Sequence, residues 1–304
     1  MAGPIYGAIE AGGTKFVCAA GSSPAEFNAD FHASIPTSTP AATLAAVVAF
    51  FDRVRNEMGP MAGIGIAAFG PVDLDPRSDT WGRLLQTPKA GWSSASLAEP
   101  LQRFGCPIAI DTDVNAAALA EAEFGAGAGT ESLAYVTVGT GIGGGVVIGG
   151  RTLRGLLHPE MGHIRVERDP RDSRFDGICP YHGDCLEGLA SGPAIMKRWK
   201  QTVADWPAGH PGLEIIGGYL GQLAATIALI TSSERILLGG GVMNDGRLFP
   251  HVRSAARKWL NDYLPIEARA GGFDRYITAP ALGPRAGIVG AMLLACRQAS
   301  SVKG

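Results

Sequence analysis

The sequence predicts an α/β protein that is built from two related halves, and three observations support this fold class. Hydrophobic residues make up 46% of the 304 positions and charged residues 18%, which allows a sizeable core and excludes wholesale disorder. Strand-like apolar runs alternate with helical patterns along the chain. A strand, a turn containing Gly and Thr, and a second strand occur at residues 5–20 and recur at 133–148. We therefore expect two related domains that face each other across a cleft.

The first half begins with two strands, and further strands then alternate with helices. In chain order the predicted elements are strand Ile5–Ile9, strand Phe16–Ala20, helix Ala41–Met58, strand Gly63–Ala68, helix Ser94–Phe104, strand Ile108–Asp111 and helix Val114–Phe124. Pro40 and apolar residues at helical spacing indicate the first helix. Residues 71–93 contain Asp, Pro, Gly, Ser and two Trp without sustained periodicity, which is typical of an ordered loop.

The second half repeats the opening strand pair and then becomes irregular before a helical stretch. In chain order the predicted elements are strands Leu133–Val138 and Gly145–Ile148, helices at about 193–205 and 213–231, strand Arg235–Leu238, a helix at about 248–264 and a terminal helix from about Gly287 to Gln298. The stretch from Gly155 to Gly192 is rich in Gly, Pro, Asp and His and has no clear periodicity.

Charge and composition exclude several classes of partner. The 26 basic and 28 acidic residues leave a net charge of −2, which argues against a nucleic-acid-binding face or a polybasic membrane anchor. Apolar runs such as Ala41–Phe51 are shorter than the roughly 20 residues that span a bilayer. No signal-peptide pattern precedes the first strand, and five cysteines fit a reducing compartment. We expect a cytoplasmic protein that binds neither nucleic acid nor membrane.

Two glycine-rich turns are candidates for binding phosphate. Gly139, Gly141 and Gly144 match G-x-G-x-x-G, but a β-like run follows them, whereas the dinucleotide fingerprint requires a helix. Thr14-Lys15 reverses the order of the Walker pattern, and a strand follows it too. Backbone N–H groups that no side chain covers can converge on an anion in such a hairpin. Each turn alone is equally compatible with a plain hairpin that binds nothing.

Four segments, taken together, resemble a known family. They are Ile9-Glu10-Ala11-Gly12-Gly13-Thr14-Lys15, Thr112-Asp113-Val114-Asn115, Val138–Gly145 and Leu238-Gly239-Gly240-Gly241-Val242. Over residues 5–296 the chain resembles the ROK family of sugar kinases, which belongs to the actin-like ATPase superfold, and the segment from Cys179 to Pro193 resembles its bacterial fructokinase branch. The resemblance implies two actin-like, ribonuclease H-like domains around a central cleft. They would comprise residues 1–113 plus 288–304, and residues 114–287 with a zinc-binding loop at 155–192.

The resemblance also implies that ATP and Mg²⁺ are cofactors. The residues expected to bind the nucleotide are Gly12, Gly13, Thr14, Lys15, Thr140, Gly141, Pro193, Gly239, Gly240, Gly241, Val242 and Met243. The two turns would meet the phosphates, whereas Pro193 and Gly239–Met243 would border the adenosine. Glu10 stands where the family usually has Asp, and its carboxylate would act on Mg²⁺ through water. Lys15 is at least as compatible with a solvated surface position.

Asp113 is the expected catalytic base. Asp111 and Asp113 follow a buried strand, and open α/β sheets present ligands at such strand ends. A carboxylate there can accept a proton from a hydroxyl as that oxygen attacks phosphorus. The family's Asn-Asp-x-Asn motif assigns this role to Asp113 and leaves Asp111 structural, with Thr112 where many relatives have Asn. The alternative for Asp113 is a cap of the following helix.

The sugar would be held mainly by carboxylates, which accept two hydrogen bonds from neighbouring hydroxyls. The residues that the resemblance assigns to the sugar are Gly70, Asn115, Glu160, His163 and Glu187. Asn115 would orient either the sugar or its own loop. Gly70 is equally compatible with a simple turn before Pro71.

Four residues of the irregular stretch have the spacing of a structural zinc site. They are His163, Cys179, His182 and Cys185, and a structural Zn²⁺ takes four nitrogen or sulfur ligands. Many ROK relatives have a third cysteine where this chain has His182, so the site would be neutral rather than anionic. His158 is a competing ligand, and unliganded cysteines in a loop are the alternative to any metal. Cys18, Cys106 and Cys296 lie in apolar contexts typical of core residues.

The sequence therefore predicts an ATP-dependent hexose kinase, specifically a fructokinase, that forms a homodimer. A mannose or glucose kinase of the same family is one alternative. Another is a sugar-sensing protein without catalysis, but the first strand near Ile5 leaves no room for the helix-turn-helix of the family's repressors, and both Gly-Thr turns and Asp113 are retained.

Overall fold

Two five-stranded sheets organise the computed structural model, which describes residues 3–87 and 89–301. The first sheet contains β1 (Ile5–Ala11), β2 (Lys15–Ser23), β3 (Glu26–Pro36), β4 (Met61–Ala68) and β5 (Ile108–Thr112). The second sheet contains β6 (Ser132–Val138), β7 (Ile142–Ile148), β8 (Arg151–Thr152), β9 (Arg235–Gly239) and β10 (Ile277–Thr278).

The two sheets have the same topology. In the first, β1, β2 and β3 form an antiparallel meander, and β4 and β5 follow on the other side of β1, parallel to it. In the second, β6, β7 and β8 form the meander, and β9 and β10 add in parallel beside β6. The α/β class and the internal duplication predicted from the sequence are therefore confirmed.

The helices follow the strands in chain order. They are α1 (Pro40–Met58), α2 (Asp113–Phe124), α3 (Leu186–Ala190), α4 (Gly192–Trp199), α5 (Pro211–Thr231), α6 (Phe249–Leu260), α7 (Ile266–Ala270), α8 (Phe273–Tyr276) and α9 (Ala286–Ser301). Helix α1 begins where the sequence predicts, because Thr39 accepts the N–H of Ala42 and Pro40 occupies the first turn.

Contacts divide the chain into two compact units. The first comprises the chain up to Ala120, the short segment Arg154–His158 and the chain from Pro284 onward; the second comprises Glu121–Leu153 and Pro159–Gly283. Each unit has its own apolar core around its sheet. The expected division into residues 1–113 plus 288–304 and residues 114–287 stays a prediction about independent domains.

Helix α9 covers one face of the first sheet. It packs on β1, β4 and β5 of that sheet. The approach is so close at Gly65 that a β-carbon there would lie 1.8 Å from the carbonyl oxygen of Ala291, so no larger residue fits. The first unit thus depends on a helix that follows its last strand by more than 170 residues.

Two elements differ from the sequence prediction: strand β3 is not among the predicted elements, and the predicted helix Ser94–Phe104 is shorter. Strand β3 is an edge strand in which Asn28 and Asp30, residues unfavourable in strands, obscure the alternation. The predicted helix is reduced to a 3₁₀ segment, Glu99–Phe104, because Pro100 lacks the N–H that a longer helix would use.

Helix α5 is the element among the described residues that has the length and apolarity of a membrane span. Its most apolar window is 67% buried inside the protein. It packs along α6 and contributes Leu220 and Leu223 to the core of the second unit. The apolar residues of α5 therefore serve the core of this unit.

Candidate active site

The first glycine turn joins β1 to β2 and is open on one side. Gly12 donates its N–H to the carbonyl of Lys15 at 3.0 Å, which closes the turn, and Thr37 Oγ1 donates to the carbonyl of Gly12 at 2.7 Å. The next residues, Gly13, Thr14 and Lys15, are exposed. The N–H of Gly12 is therefore used within the turn, whereas Gly13 and Thr14 are exposed to solvent.

Two carboxylates of the first unit lie at the same edge of its sheet. Glu10 is near the end of β1 and Asp113 directly follows β5, and both strands run parallel to β4 between them. Burial raises the pKa of Asp113 to about 6, against the effect of the N–H of Val114, which donates to its carboxylate at 2.8 Å. Burial and the negative charge of Asp113 raise the pKa of Glu10 to about 7, against the attraction of Lys15.

Thr112, rather than Asp113, caps α2. The hydroxyl of Thr112 accepts the N–H of Asn115 at 3.1 Å, which is the bond expected from a helix cap to the third helical residue. The carboxylate of Asp113 accepts from backbone N–H groups of Val114 and of Asp113 itself, neither of which is the bond of a helix cap to the third helical residue, so the structure assigns the cap to Thr112. Asn115 is fully buried and its amide donates to Asp111 at 2.7 Å, which supports an orienting role within the loop.

The second glycine turn, Gly139–Gly141, joins β6 to β7 and is attached to α3. It is shorter than the sequence suggests, because β7 already begins at Ile142. The antiparallel β7 that follows it confirms that the match to the dinucleotide fingerprint is accidental. Glu187 of α3 accepts the N–H of Ile142 at 2.9 Å, so its carboxylate holds this turn.

The residues expected to border the adenosine lie within the second unit. Gly192, which precedes Pro193 at the start of α4, donates its N–H to the carbonyl of Gly139 at 2.7 Å. Gly240 has a φ of +88° and approaches β6 so closely that a β-carbon would lie 2.4 Å from the carbonyl oxygen of Val138. Gly241 has open space in front of it, whereas the side chains of Val242 and Met243 are buried, so only backbone groups of those two could meet a ligand.

The segment before the Cys/His cluster forms a short 3₁₀ turn against β7. Glu160 is exposed, and its carbonyl accepts the N–H of His163 at 3.1 Å. His158 lies in the first unit instead: its Nε2 accepts the N–H of Val72 at 3.4 Å, and its ring packs on Gly70. The predicted sugar residues therefore divide between the units, with Gly70 and Asn115 in one and Glu160, His163 and Glu187 in the other.

Four potential metal ligands come together in the second unit. The ligand atoms of His163, Cys179, His182 and Cys185 all lie within 4.8 Å of one another, and His158 is not among them. A tight hairpin, in which Cys179 and Gly183 exchange backbone hydrogen bonds, presents Cys179 and His182 together. The Nδ1 atom of His163 lies 3.7 Å from the sulfur of Cys179 and 3.5 Å from that of Cys185.

These distances fit a tetrahedral ion. With metal–sulfur and metal–nitrogen bonds of about 2.3 and 2.0 Å, tetrahedral zinc separates its ligand atoms by about 3.3–3.8 Å. The sulfur of Cys179 and the Nδ1 of His182 are 3.7 Å apart. A four-ligand cluster with this donor set leaves no open position for a reacting group.

Known proteins match the chain over nearly its whole length. The model of the ROK family matches residues 6–298. The chain belongs to the ROK family. It is 44% identical over 295 residues to a fructokinase of Zymomonas mobilis, covering 96% of each chain.

Solved structures agree with that assignment. A ROK hexokinase from Thermus thermophilus aligns with a TM-score of 0.77 and 27% identity, covering 99% of this chain and 100% of the other. A ROK glucokinase from Streptomyces griseus, solved with glucose and AMPPNP, aligns with a TM-score of 0.74 and 26% identity over 96% and 99% of the two chains. The actin-like ATPase fold inferred from the resemblance is confirmed.

Sequence reasoning missed the residues that support the site from a distance. Arg154 forms an ion pair with Asp111 at 2.6 Å although 43 residues separate them. The bond from Ile142 to Glu187 spans 45 residues. The sequence did offer one signal, which is the charge of Asp111 at the end of a buried strand. A buried carboxylate requires a cation or hydrogen-bond donors, so this charge indicates that a partner exists but not which residue it is.

Proposed function

We propose that the protein is an ATP-dependent fructokinase that converts D-fructose to fructose 6-phosphate. The observation that carries this proposal is the 44% identity, over 96% of both chains, with the fructokinase of Zymomonas mobilis, against 26% with the glucokinase of known structure. The position of Asp113 at the carboxyl end of β5 and its raised pKa support the reaction type.

Asp113 is the general base in the proposed reaction. Its carboxylate accepts the proton of the sugar 6-hydroxyl as that oxygen bonds to the γ-phosphorus of ATP and the bond from this phosphorus to the β-phosphate oxygen breaks. A pKa of about 6 suits this role, because the group is ionised near neutral pH and still a stronger base than an ordinary aspartate. Thr112 supplies the helix cap, so the carboxylate of Asp113 is not needed for it.

The nucleotide is bound by backbone groups of the two turns. Gly13 and Thr14 in the first turn, and Thr140 and Gly141 in the second, are the residues that contact phosphate oxygens in this proposal. Pro193 and the backbone at Gly239–Met243 border the adenosine. Mg²⁺, when bound with ATP, neutralises the charge of the phosphates. In this proposal the carboxylate of Glu10 accepts hydrogen bonds from water molecules on that ion.

The sugar is held by Glu160, His163 and Glu187, with Gly70 forming part of the wall. His163 can serve two purposes, because its Nδ1 faces the two sulfur atoms and leaves Nε2 for a sugar hydroxyl. Glu187 uses one carboxylate oxygen on the N–H of Ile142, so sugar and phosphate groups contact one connected structure. Asn115, whose amide donates to Asp111, orients either the sugar or its own loop.

The Cys/His cluster binds a structural Zn²⁺. Three sulfur–nitrogen distances of 3.5–3.7 Å match tetrahedral geometry, and the two thiolates with two neutral imidazoles neutralise the ion. The metal orders the loop that carries Glu160 and Glu187. In this proposal the protein is cytoplasmic and acts as a homodimer. Light scattering at micromolar concentration tests the dimer by measuring its molar mass.

A coupled assay of ADP release tests the proposed function. Fructose, mannose and glucose are compared with Mg-ATP, and the product is identified by its conversion in a fructose 6-phosphate-specific coupling system. We expect fructose to give the highest kcat/KM. If no hexose stimulates ADP release, the kinase assignment fails; if mannose or glucose is preferred, only the sugar assignment fails.

A further inference from the structure

A five-residue segment of the chain leaves the second unit and packs on the first. It is Arg154–His158, which begins two residues after the end of β8 and is separated by Pro159 from the turn that carries Glu160 and His163. Two contacts fasten it at its ends. Arg154 Nη2 lies 2.6 Å from Asp111 Oδ2, and His158 Nε2 accepts the N–H of Val72 at 3.4 Å.

Asp111 connects this segment to the loop that carries Asp113. It is fully buried. Its Oδ2 pairs with Arg154, while its Oδ1 accepts the N–H of Thr112 at 2.8 Å and the amide of Asn115 at 2.7 Å. The residues on both sides of Asp113 are therefore hydrogen bonded to one carboxylate.

The guanidinium of Arg154 fixes the orientation of that carboxylate. A buried carboxylate is stable only when charge and hydrogen bonds compensate the loss of water. The guanidinium of Arg154 forms an ion pair with this carboxylate. The side chain of Arg154 is 40% exposed, so it reaches the buried Asp111 from the surface. Without it, Oδ2 would lose its charge-assisted bond, and the carboxylate could rotate away from Thr112 and Asn115.

We propose that Arg154 is a positioning residue for phosphoryl transfer, which acts through Asp111 to hold the Asp113 loop in its reactive geometry. The inference rests on the proposed function, because it assumes that Asp113 receives the proton. An error of about 1 Å in the position of a reacting group can cost roughly 100-fold in rate. Arg154 therefore affects kcat more than it affects the binding of either substrate.

Steady-state kinetics of Arg154→Ala, Arg154→Lys and Asp111→Asn test this inference. We expect Arg154→Ala to lower kcat about 10–100-fold, with KM for fructose and ATP changed less than about threefold. Arg154→Lys retains the charge and restores part of kcat. The matched control is Arg151→Ala, an exposed arginine three residues earlier, which should leave kcat unchanged.

Two further measurements separate positioning from mere stabilisation. Hydrogen exchange of the peptide that contains residues 108–116 should become faster in Arg154→Ala. The melting temperature should fall, because a buried carboxylate loses its cation, but the protein should remain fully folded at the assay temperature. In the double variant Arg154→Ala with Asp111→Asn, kcat should fall no further than in the worse single variant, because both act through one contact.

An unchanged kcat in Arg154→Ala, or losses that add fully in the double variant, would overturn the inference. So would activity that falls only in proportion to the folded fraction. Wild-type protein that phosphorylates no hexose would instead defeat the proposed function, and wild-type activity that survives Asp113→Asn would defeat the assignment of the base; neither result depends on Arg154.

Discussion

At the scale of single residues, the strand ends determine the chemistry, and the sequence shows them clearly. The position of Asp113 after a buried strand leaves a helix cap and a catalytic base both open, and the family resemblance selects the base. The structure adds that Thr112 caps α2. The sequence could not predict which of the two residues caps the helix, because Thr and Asp are both good caps. Only the structure shows that the hydroxyl of Thr112, and not the carboxylate of Asp113, accepts the N–H of Asn115.

Replacing Asp113 with Asn should remove the proton acceptor and keep the shape. We expect kcat to fall about 10²–10⁴-fold while KM for fructose stays within a few-fold. In the wild type, kcat/KM should decline as the pH falls through about 6, because the carboxylate of Asp113 becomes protonated there. A variant that keeps half of the wild-type kcat would contradict the assignment.

Glu10 should make the stability of the free protein depend on pH. Its pKa is raised from 4.5 to about 7 in the folded state, so folding favours the protonated form. That contribution to stability is complete below pH 4.5 and is lost as the pH rises through about 7. Glu10→Gln should therefore raise the melting temperature at pH 8, without nucleotide or Mg²⁺, and have little effect at pH 4.

The matched control is Glu57→Gln, which neutralises an exposed glutamate of α1. Its effect on the melting temperature should be small at both pH values. An equal stabilisation by both variants at pH 8 would mean that net charge, rather than the burial of Glu10, causes the change.

At the scale of elements, the hairpins and most helices were predictable, but the ends of several elements were not. Glycine and apolar alternation identified both strand pairs. Helix α4 ends at Trp199 because Lys200 adopts a left-handed conformation with a φ of 57°, and α6 ends because Asn261 does the same. Such C-terminal caps usually involve glycine, so a lysine at this position does not predict the end of a helix.

The Cys/His loop gives a prediction at this scale. Protein purified without added metal should contain about one zinc per chain, and Cys179→Ser should lower that content. Because the loop carries Glu160 and Glu187, KM for fructose should rise more than KM for ATP. Elemental analysis and steady-state kinetics measure these effects, and Cys106→Ser, outside the cluster, is the control. Metal-free protein with full activity and an unchanged melting temperature would contradict the zinc site.

At the scale of the whole molecule, one recurring pattern in the sequence predicted the shared topology of the two sheets. The recurrence was visible because each copy begins with a strand, a Gly-Thr turn and a strand. The return of Arg154–His158 to the first unit was not visible, since it depends on contacts with Asp111 and Val72, 43 and 86 residues away.

Glu121 should stabilise the fold at the point where the chain passes from the first unit to the second. Its fully buried carboxylate accepts the N–H groups of Ala126 at 2.8 Å, Ala281 at 3.0 Å and Leu282 at 2.7 Å. In Glu121→Gln one oxygen becomes an NH₂ group that faces a backbone donor. We expect the free energy of unfolding to fall by about 1–3 kcal/mol, measured in urea against Glu57→Gln. A loss no larger than that of the control would show that these bonds contribute little.

The position of α9 along the chain has a consequence for synthesis on the ribosome. The last strand of the first sheet ends at Thr112, but the helix that covers the sheet is made only at residues 286–301. Until then the apolar face around Gly65 is uncovered, and the second unit emerges and can fold first. Nascent chains arrested before residue 286 should therefore bind chaperones through the amino-terminal half, even though that half was translated earliest.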